Sequence, residues 1–262
     1  MKYYLKVYKA LLRLNLARLM IYRTNFYNML ISSLGYSFLS FFSIIFLTHN
    51  NPVLFGWKRE ELILVMAFYN ITIGGLFHMI FSHNFHFFSE TIHYGRLDSV
   101  LLKPLDSQFL LSLSRIAFVQ VFRILIGIGV SIYIITTYHM TVTWFGILGF
   151  IIFSFFGLII LYSIWFIVMT LTVWNSRLSN LVDLLYHLND FARFPPEMYR
   201  FAKNYLFFVI PYTLIVIAPT KAILAKLSYL EMLATVFFTV FLFYFARKFW
   251  HHALKSYTSA SS

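Results

Sequence analysis

Long, nearly uncharged apolar runs alternate along this chain with short segments that hold almost all of its charge. The 262 residues include only 21 Lys and Arg and 9 Asp and Glu, while 60% are hydrophobic. A water-soluble domain could not cover so much apolar surface. In a bilayer the same surface is stable, provided that each run forms a helix that satisfies its own backbone hydrogen bonds. The pattern therefore predicts an all-α integral membrane protein.

Six apolar runs are expected to cross the membrane. They cover residues 26–47, 62–82, 124–140, 145–173, 205–218 and 230–250. Most approach the roughly 20 residues that a helix needs to cross about 30 Å of hydrocarbon, but the fifth is short. A helical extension is expected to lead from Ser107 into the third span.

The basic residues are distributed unequally between the two sides of this six-span plan. Four lie on one side, namely Lys58, Arg59, Lys221 and Lys226, and the other 17 are placed on the opposite side, Arg96, Arg123 and Arg193 among them. Basic residues concentrate in cytoplasmic loops, so both termini are expected in the cytoplasm. Because these residues lie at the ends of apolar runs, the net charge of +12 indicates contact with lipid headgroups and not with nucleic acid.

Residues 1–24 have the pattern of an amphipathic interfacial helix. One face carries Lys2, Lys6, Lys9 and Arg13, and the other carries Tyr4, Val7, Tyr8, Leu11 and Leu14. A simple basic anchor is the alternative. Residues 25–250 then form one transmembrane core, and residues 251–262 form a cytoplasmic tail.

Several chemistries lack their usual residues. The chain has no cysteine and no GxxxxGK[ST] phosphate loop, so any ATP would be hydrolysed by a separate polypeptide. All nine carboxylates are expected in loops or at span edges, which argues against an ion-coupled carrier. His78, His83, His86 and His93 are expected to be interfacial polar side chains and not metal ligands, since no carboxylate or cysteine accompanies them. No catalytic residue and no metal site is predicted.

The loop after the second span contains an unusual apolar segment. Residues 97–102 can form a short helix between Gly95 and Pro104, and its leucines do not suit a solvated loop. Such a helix could dock into a groove on another protein, or it could lie flat on the bilayer. The spacing does not separate these two interpretations.

Prolines mark the last third of the core. The pair Pro195 and Pro196 is expected to end one helix, and Pro211 and Pro219 are expected to break the fifth span. Broken helices line pathways in transporters, but they also occur as packing kinks.

Four stretches together resemble the ABC-type-2 export permeases, and more narrowly a bacterial subfamily of about this length. They are GRLDSVLLKPL at residues 95–105, RFPPEMY at 193–199, FVIPYTLIVIAPTKAIL at 208–224 and ALKSYTSASS at 253–262. The tail departs from the resemblance, because the family commonly ends in a run that contains glycines.

The resemblance implies an exporter subunit of the bacterial inner membrane that is not itself an enzyme and binds no cofactor. A separate ABC ATPase subunit would bind ATP and Mg, and a second permease chain, identical or related, would complete the pair. The segment 94–103 would be the coupling helix, and residues 1–24 would be a connecting helix. The resemblance assigns ATPase coupling to Tyr94, Gly95, Arg96, Leu97, Asp98, Leu101, Leu102 and Lys103, and the outer gate to Pro211 and Pro219.

The 32 Phe and 18 Tyr residues favour a hydrophobic or amphipathic cargo such as a drug, lipid or peptide. Two other functions stay open. One is a membrane enzyme that modifies lipids or carries a histidine-bound metal, and the other is a membrane scaffold that transports nothing.

Overall fold

The computed structural model describes residues 2–21, 23–175, 178, 180–199 and 206–257, and these residues are predominantly helical. The helices in chain order are α1 (Lys2–Ile21), α2 (Arg23–Leu47), α3 (Arg59–Tyr69), α4 (His83–His93), α5 (Leu97–Leu101), α6 (Ser107–Leu113), α7 (Val121–Thr137), α8 (Trp144–Thr170), α9 (Leu181–Leu188), α10 (Leu206–Ile223) and α11 (Tyr229–Ser256). Strands β1 (Val53–Leu54) and β2 (Trp57–Lys58) form a small antiparallel hairpin.

Within the described residues, five stretches of helix are long and apolar enough to cross a membrane. They are Arg23–Leu47, Arg59–His93, Phe118–Thr137, Trp144–Val173 and Tyr229–Ser256. The predicted fifth span corresponds to a shorter apolar helix, Ile210–Ile223, within α10. Residues 211–220 of this helix are all buried, and α8 is its main neighbour. The all-α membrane architecture is confirmed, with α10 as a central packed helix and not a lipid-facing one.

The second crossing is longer than predicted because a π-helix (Asn70–Ser82) joins α3 to α4 without interruption. π-Helical geometry is rare and is usually limited to single turns, often at functional sites. Here Gly74 and Gly75 lie in the π-helix and face α7. A β-carbon at Gly75 would stand 2.3 Å from Cγ1 of Ile124, so the glycine allows α7 to pack at close range.

The predicted helical extension from Ser107 into the third span is wrong, since α6 ends at Leu113 and residues 114–117 are not helical. The side chain of Asn84 accepts a hydrogen bond from Arg115 N (2.8 Å) and donates one to Arg115 O (2.8 Å). Ala117 N donates to Met79 O in the π-helix. These bonds satisfy the backbone groups that a continuous helix would have used.

The predicted break of the fifth span at Pro211 and Pro219 is also wrong, because α10 runs through both prolines. A proline removes one helical donor, and neighbouring helices and hydroxyl groups can compensate in a membrane protein. The carbonyls that lose a donor here are those of residues 207 and 215. The hydroxyl bonds of this helix go to other carbonyls beside the prolines, from Thr220 Oγ1 to Val216 O (2.7 Å) and from Thr213 Oγ1 to Ile210 O (3.0 Å).

The helix bundle has two ends, which we call the α5 end and the Trp57 end. At the α5 end, the start of α6 meets the last turns of α11 through Asp106–Arg247 and Ser107–Trp250 contacts. At the Trp57 end, the hairpin and the start of α3 meet the chain that joins α10 to α11. Lys226 forms an ion pair there with Glu61.

The loop between the fourth and fifth spans does not lie where it is predicted to lie. Glu197 accepts a hydrogen bond from Trp57 Nε1 (3.3 Å) and lies 3.5 Å from Lys221 Nζ, so this segment reaches the Trp57 end. Arg193 packs over the ring of Tyr69 inside the bundle. Arg200 and Lys203 lie outside the described residues. Arg193 therefore does not act as an interfacial loop charge, and neither does Arg123, which is buried.

The two terminal segments agree partly with the predictions. Along α1, Val7, Tyr8 and Leu11 are half-buried, but Leu14 is exposed and Asn15 is buried in its place. At the other terminus, α11 continues to Ser256, so the first part of the predicted tail is helical. Residues 258–262 lie outside the described residues.

Candidate functional site

A tight turn at Gly95 positions α5. The chain leaves α4 with Gly95 in the left-handed region (φ 63°), and Arg96 N donates to Thr91 O (2.8 Å). This is the Schellman arrangement that ends a helix and reverses the chain, and glycine adopts it without the clash of a β-carbon. The turn therefore fixes the direction in which the next helix leaves.

Helix α5 has an inward and an outward face. Leu97 and Val100 are buried against the bundle, with Leu97 fully inaccessible. Leu102 is 85% exposed and Tyr94 is 63% exposed. Leu101, Arg96 and Lys103 are exposed beside them. We call these five exposed side chains, Tyr94, Arg96, Leu101, Leu102 and Lys103, the α5 face.

The segment after α5 is tied to α11. Both oxygens of Asp106 accept hydrogen bonds from Arg247, from Nη1 at 3.2 Å and from Nη2 at 2.6 Å. Asp106 Oδ1 also caps α6 by accepting from Phe109 N (3.0 Å). Burial raises the pKa of the Asp106 carboxyl, but the bonds from Arg247 and Phe109 outweigh it and hold the pKa below its ordinary value of 3.8.

Helix α1 reaches the same place from the other side. Asp106 N donates to the hydroxyl of Tyr4 (3.2 Å), whose ring meets that of Phe109 edge-on with centroids 5.1 Å apart. Further along α1, Asn15 Nδ2 donates to Ser114 O (3.0 Å). The α5–α6 segment is thus held by both α1 and α11.

A polar cavity of about 670 Å³ opens inside the bundle between α2, the π-helix, the start of α7, and the segment from α9 to Arg193. Its ionisable lining includes Arg123, Arg193, Asp183 and Asp190. Asp183 lies in α9 and Asp190 directly after it, between the predicted fourth and fifth spans, so both agree with the expectation that the carboxylates lie in loops or at span edges.

Arg123 extends into this cavity from α7. Its side chain lies against Gly74, where a β-carbon would stand 2.4 Å from Cζ. Nε (3.3 Å) and Nη2 (3.1 Å) both donate to Oδ1 of Asn70, which also accepts from Ser37 Oγ (2.9 Å). Asn70 Nδ2 donates in turn to Ser40 Oγ (2.9 Å). Polar side chains thus join α2, the π-helix and α7 within the bundle, where such groups are costly unless they are paired.

The histidines are not arranged as a metal site. His78 stacks on the ring of Tyr186 with centroids 5.2 Å apart, and the ring of His86 lies 5.7 Å from the same tyrosine. In the described part of the chain, which includes every histidine, no three His, Asp or Glu side chains lie close enough together to hold a metal ion.

The two predicted site groups lie in different places. The eight coupling residues surround α5, but Leu97 faces inward and serves as an anchor, not as a contact surface. Pro211 and Pro219 are buried in α10, and Lys221, just beyond Pro219, forms ion pairs with Glu197 and Glu231 at the Trp57 end. The two groups therefore belong to separate parts of the bundle.

Sequence reasoning missed Asn70, Asn84, Asn189 and Asp106 as structural or functional residues. A signal was present for Asn70 and Asn84, since an amide within or beside an apolar run is costly unless it has a partner. The partner residues, 53 positions away for Arg123 and 31 for Arg115, could not be read from local spacing.

Comparison with family models finds one match, to the ABC-2 family transporter proteins, over residues 34–261. The match begins within α2 and includes α5, α10 and the lining of the polar cavity from Tyr36 onward, but not α1. Comparison with curated proteins and with solved structures finds no significant match. Since the family model covers most of the chain and agrees with the helical membrane architecture, this protein belongs to the ABC-2 family of transporter membrane proteins.

Proposed function

We propose that this chain is the permease subunit of an ATP-driven ABC exporter in the bacterial inner membrane, with both termini in the cytoplasm. ATP and Mg would bind to a separate ATPase subunit, and a second permease chain, identical or related, would complete the transporter. The observation that carries the proposal is the α5 face, a small exposed apolar surface on a segment that is otherwise firmly held. Family membership supports a transport role and an ATPase partner.

The contacts of α5 suit the transmission of movement. Leu97 and Val100 fasten the helix to the bundle, so a partner that pushes on Leu102 also displaces the helix ends behind it. Asp106 connects that displacement to α11 through Arg247 and to α1 through Tyr4. Motion of a docked ATPase would therefore reach two long helices through hydrogen bonds, without large rearrangement of the bundle.

The composition of the α5 face supports a protein partner. Exposed Tyr94 and Leu102 are accompanied by Arg96 and Lys103. Aromatic residues and arginine are enriched in protein interfaces, whose rims are polar. In this proposal Tyr94, Leu101 and Leu102 contact the ATPase, Arg96 and Lys103 surround that contact, and Asp98 and Leu97 hold the helix. Pro211 and Pro219 would contribute to an outer gate near the Trp57 end.

A pull-down experiment tests the partner. The chain is tagged and purified from its native membrane, and the co-purified proteins are identified by mass spectrometry. An ABC ATPase should co-purify with the wild type. Leu102→Glu should weaken its binding about thirtyfold or more and lower its recovery accordingly, because a buried interface leucine replaced by a charge costs roughly 2 kcal/mol or more. Val53→Glu is the matched control, because Val53 is also exposed but lies in the hairpin at the Trp57 end.

The two other functions make different predictions. A histidine-metal enzyme should contain stoichiometric iron or zinc after purification, which metal analysis measures directly. A scaffold should leave ATP hydrolysis by any bound ATPase unchanged when Leu101→Asp or Asp98→Ala is introduced. If no ATPase co-purifies with the wild-type chain, the exporter proposal is wrong.

A further inference from the structure

Two residues that line the polar cavity have buried hydrogen-bond donors without an acceptor among the described residues. Asn189 is 1% exposed, and its Oδ1 accepts from Trp165 Nε1 (3.2 Å), which orients the amide. Its Nδ2 is then left without a hydrogen-bond partner among the described residues. Nε of Arg193 is likewise buried without a hydrogen-bond partner in the described part of the chain. Both residues line the cavity.

Arg123 adds a third donor group to the same cavity. Its hydrogen bonds to described residues use Nε and Nη2, both directed to one oxygen of Asn70, and Nη1 is left for another acceptor. No carboxylate of a described residue lies within ion-pair distance of this guanidinium, whereas Arg193 is paired with Asp190 at 2.9 Å. Arg123 is therefore a buried charge with amide and hydroxyl neighbours but no counter-ion.

Burying an arginine in a membrane protein without a counter-ion costs free energy, and residues buried in this way usually have a function. The charge of Arg193 acts on Arg123 and adds repulsion to this cost. An anionic ligand would supply the missing counter-ion and reduce the repulsion between the two arginines. Guanidinium groups suit carboxylate and phosphate oxygens because of their planar, multidentate geometry.

We propose that the polar cavity binds the anionic group, a phosphate or carboxylate, of an amphipathic molecule through Arg123, Arg193 and Asn189. This inference rests on the proposed transport function and narrows its cargo to molecules that carry such a group. Helix α2, which lines one side of the cavity, also carries exposed Tyr27 and Ile31, so an alkyl chain that leaves the cavity along this helix would meet apolar surface. Asp183 also lines the cavity, so a cationic ligand is the competing outcome.

Two probes of equal chain length distinguish these outcomes. The full chain is placed in phosphatidylcholine nanodiscs, and the binding of dodecyl phosphate and dodecyltrimethylammonium is measured by isothermal titration calorimetry at pH 8. Dodecyl phosphate should bind at least tenfold more tightly than dodecyltrimethylammonium, since hydrogen bonds to charged groups are the strongest that the cavity can offer. Equal affinities, or tighter binding of the cation, would overturn the inference.

Two variants connect the binding to the named residues. Asn189→Asp keeps an acceptor for Trp165 but replaces the unpartnered donor by an acidic oxygen, so the affinity for dodecyl phosphate should fall about tenfold while the fold is preserved. Arg123→Gln should lower it by a similar factor. Arg115→Gln is the control for loss of positive charge, because that side chain lies over the ring of Phe87, outside the cavity. Unchanged affinity in Asn189→Asp and Arg123→Gln would contradict the inference.

Competition identifies the source of the anionic group. If the site takes a free anion, inorganic phosphate should displace dodecyl phosphate. If dodecyl phosphate stays bound in the presence of inorganic phosphate, and its binding is weakened by Arg123→Gln, the site takes an amphiphile. The ATPase pull-down separates this inference from the proposed function. If an ATPase co-purifies but the chain does not prefer the anionic probe, only the proposed cargo class is refuted. If the chain prefers the anionic probe but no ATPase co-purifies, only the exporter proposal is refuted.

Discussion

The carbonyl oxygen of Ile215 in α10 lies against Gly157 in α8, where a β-carbon at position 157 would stand 2.6 Å from it. This carbonyl is the one that residue 219 would bond in a regular helix, but Pro219 has no N–H to donate. The glycine allows α8 to pack at close range on the proline-containing turn of α10. Close packing of α8 therefore accompanies the passage of α10 through a proline inside the bundle.

Gly157→Ala should therefore destabilise the protein. The atom that the new methyl group would meet belongs to the backbone and cannot rotate away, so we expect a loss of about 1–3 kcal/mol, as in overpacked cores. The melting temperature in detergent micelles, followed by near-UV circular dichroism, measures the effect.

Gly129→Ala serves as the control, because a β-carbon at that position of α7 meets nothing within 4 Å. Alanine favours the helix by about 1 kcal/mol over glycine, so this variant should be as stable as the wild type or slightly more so. Equal melting temperatures for Gly157→Ala and the wild type would show that the α8–α10 contact is looser than the structure indicates.

The contact between Asp106 and Arg247 should support stability in a pH-dependent way. The pKa of Asp106 is held below 3.8 in the folded protein, so the carboxylate stabilises the fold above that value and the contribution is lost as the pH falls through the folded pKa. Between pH 5 and 8 the contribution should be constant. Below about pH 4 the stability difference between the wild type and Asp106→Asn should shrink.

Two substitutions separate the two roles of Asp106. Asp106→Asn keeps a side-chain oxygen for Phe109 N and loses only the charge, so we expect a cost of at most about 1 kcal/mol for a half-exposed pair. Asp106→Ala loses the helix cap as well and should cost about 1 kcal/mol more. Equal melting temperatures for the two variants would mean that the cap contributes nothing.

The turn at Gly95 should control the docking of the partner. Gly95→Ala places a β-carbon in the left-handed region, which costs roughly 1–2 kcal/mol and favours a different direction for α5. Recovery of the ATPase in the pull-down should fall several-fold. Gly95→Asn should restore most of it, since asparagine tolerates this conformation. Full recovery in Gly95→Ala would show that the direction of α5 does not matter for docking.

Hydropathy is sufficient to predict the membrane architecture, because the length of each apolar run can be read directly from the sequence without knowledge of its contacts. The helix over residues 97–101 was also readable, since Gly95 and Pro104 delimit it locally. The contents of the polar cavity were not readable. Arg123 resembles any interfacial arginine until Gly74 and Asn70, from another helix, are placed against it.

The same distinction explains the wrong predictions. The effect of Pro219 on its own helix is known and predicts a break, whereas the close packing at Gly157 involves a residue 62 positions away in sequence. Arg193 and Glu197 were placed in an interfacial loop because a charged, proline-containing segment usually lies there. Their contacts with Tyr69 and Trp57 join residues that are far apart in sequence, and a single sequence does not reveal such contacts.

Asn84 should prove essential for the connection between α6 and α7. Its amide forms four hydrogen bonds, two of them to the backbone of Arg115, and Asn84→Ala would leave those buried groups without partners at a cost of about 1–3 kcal/mol each. We expect a markedly lower melting temperature and faster hydrogen exchange at residues 114–117. Asn25→Ala is the matched control, because Asn25 is exposed at the start of α2 and its loss should leave both measurements unchanged. Unaltered exchange at residues 114–117 in Asn84→Ala would mean that α6 and α7 are held apart by something other than this amide.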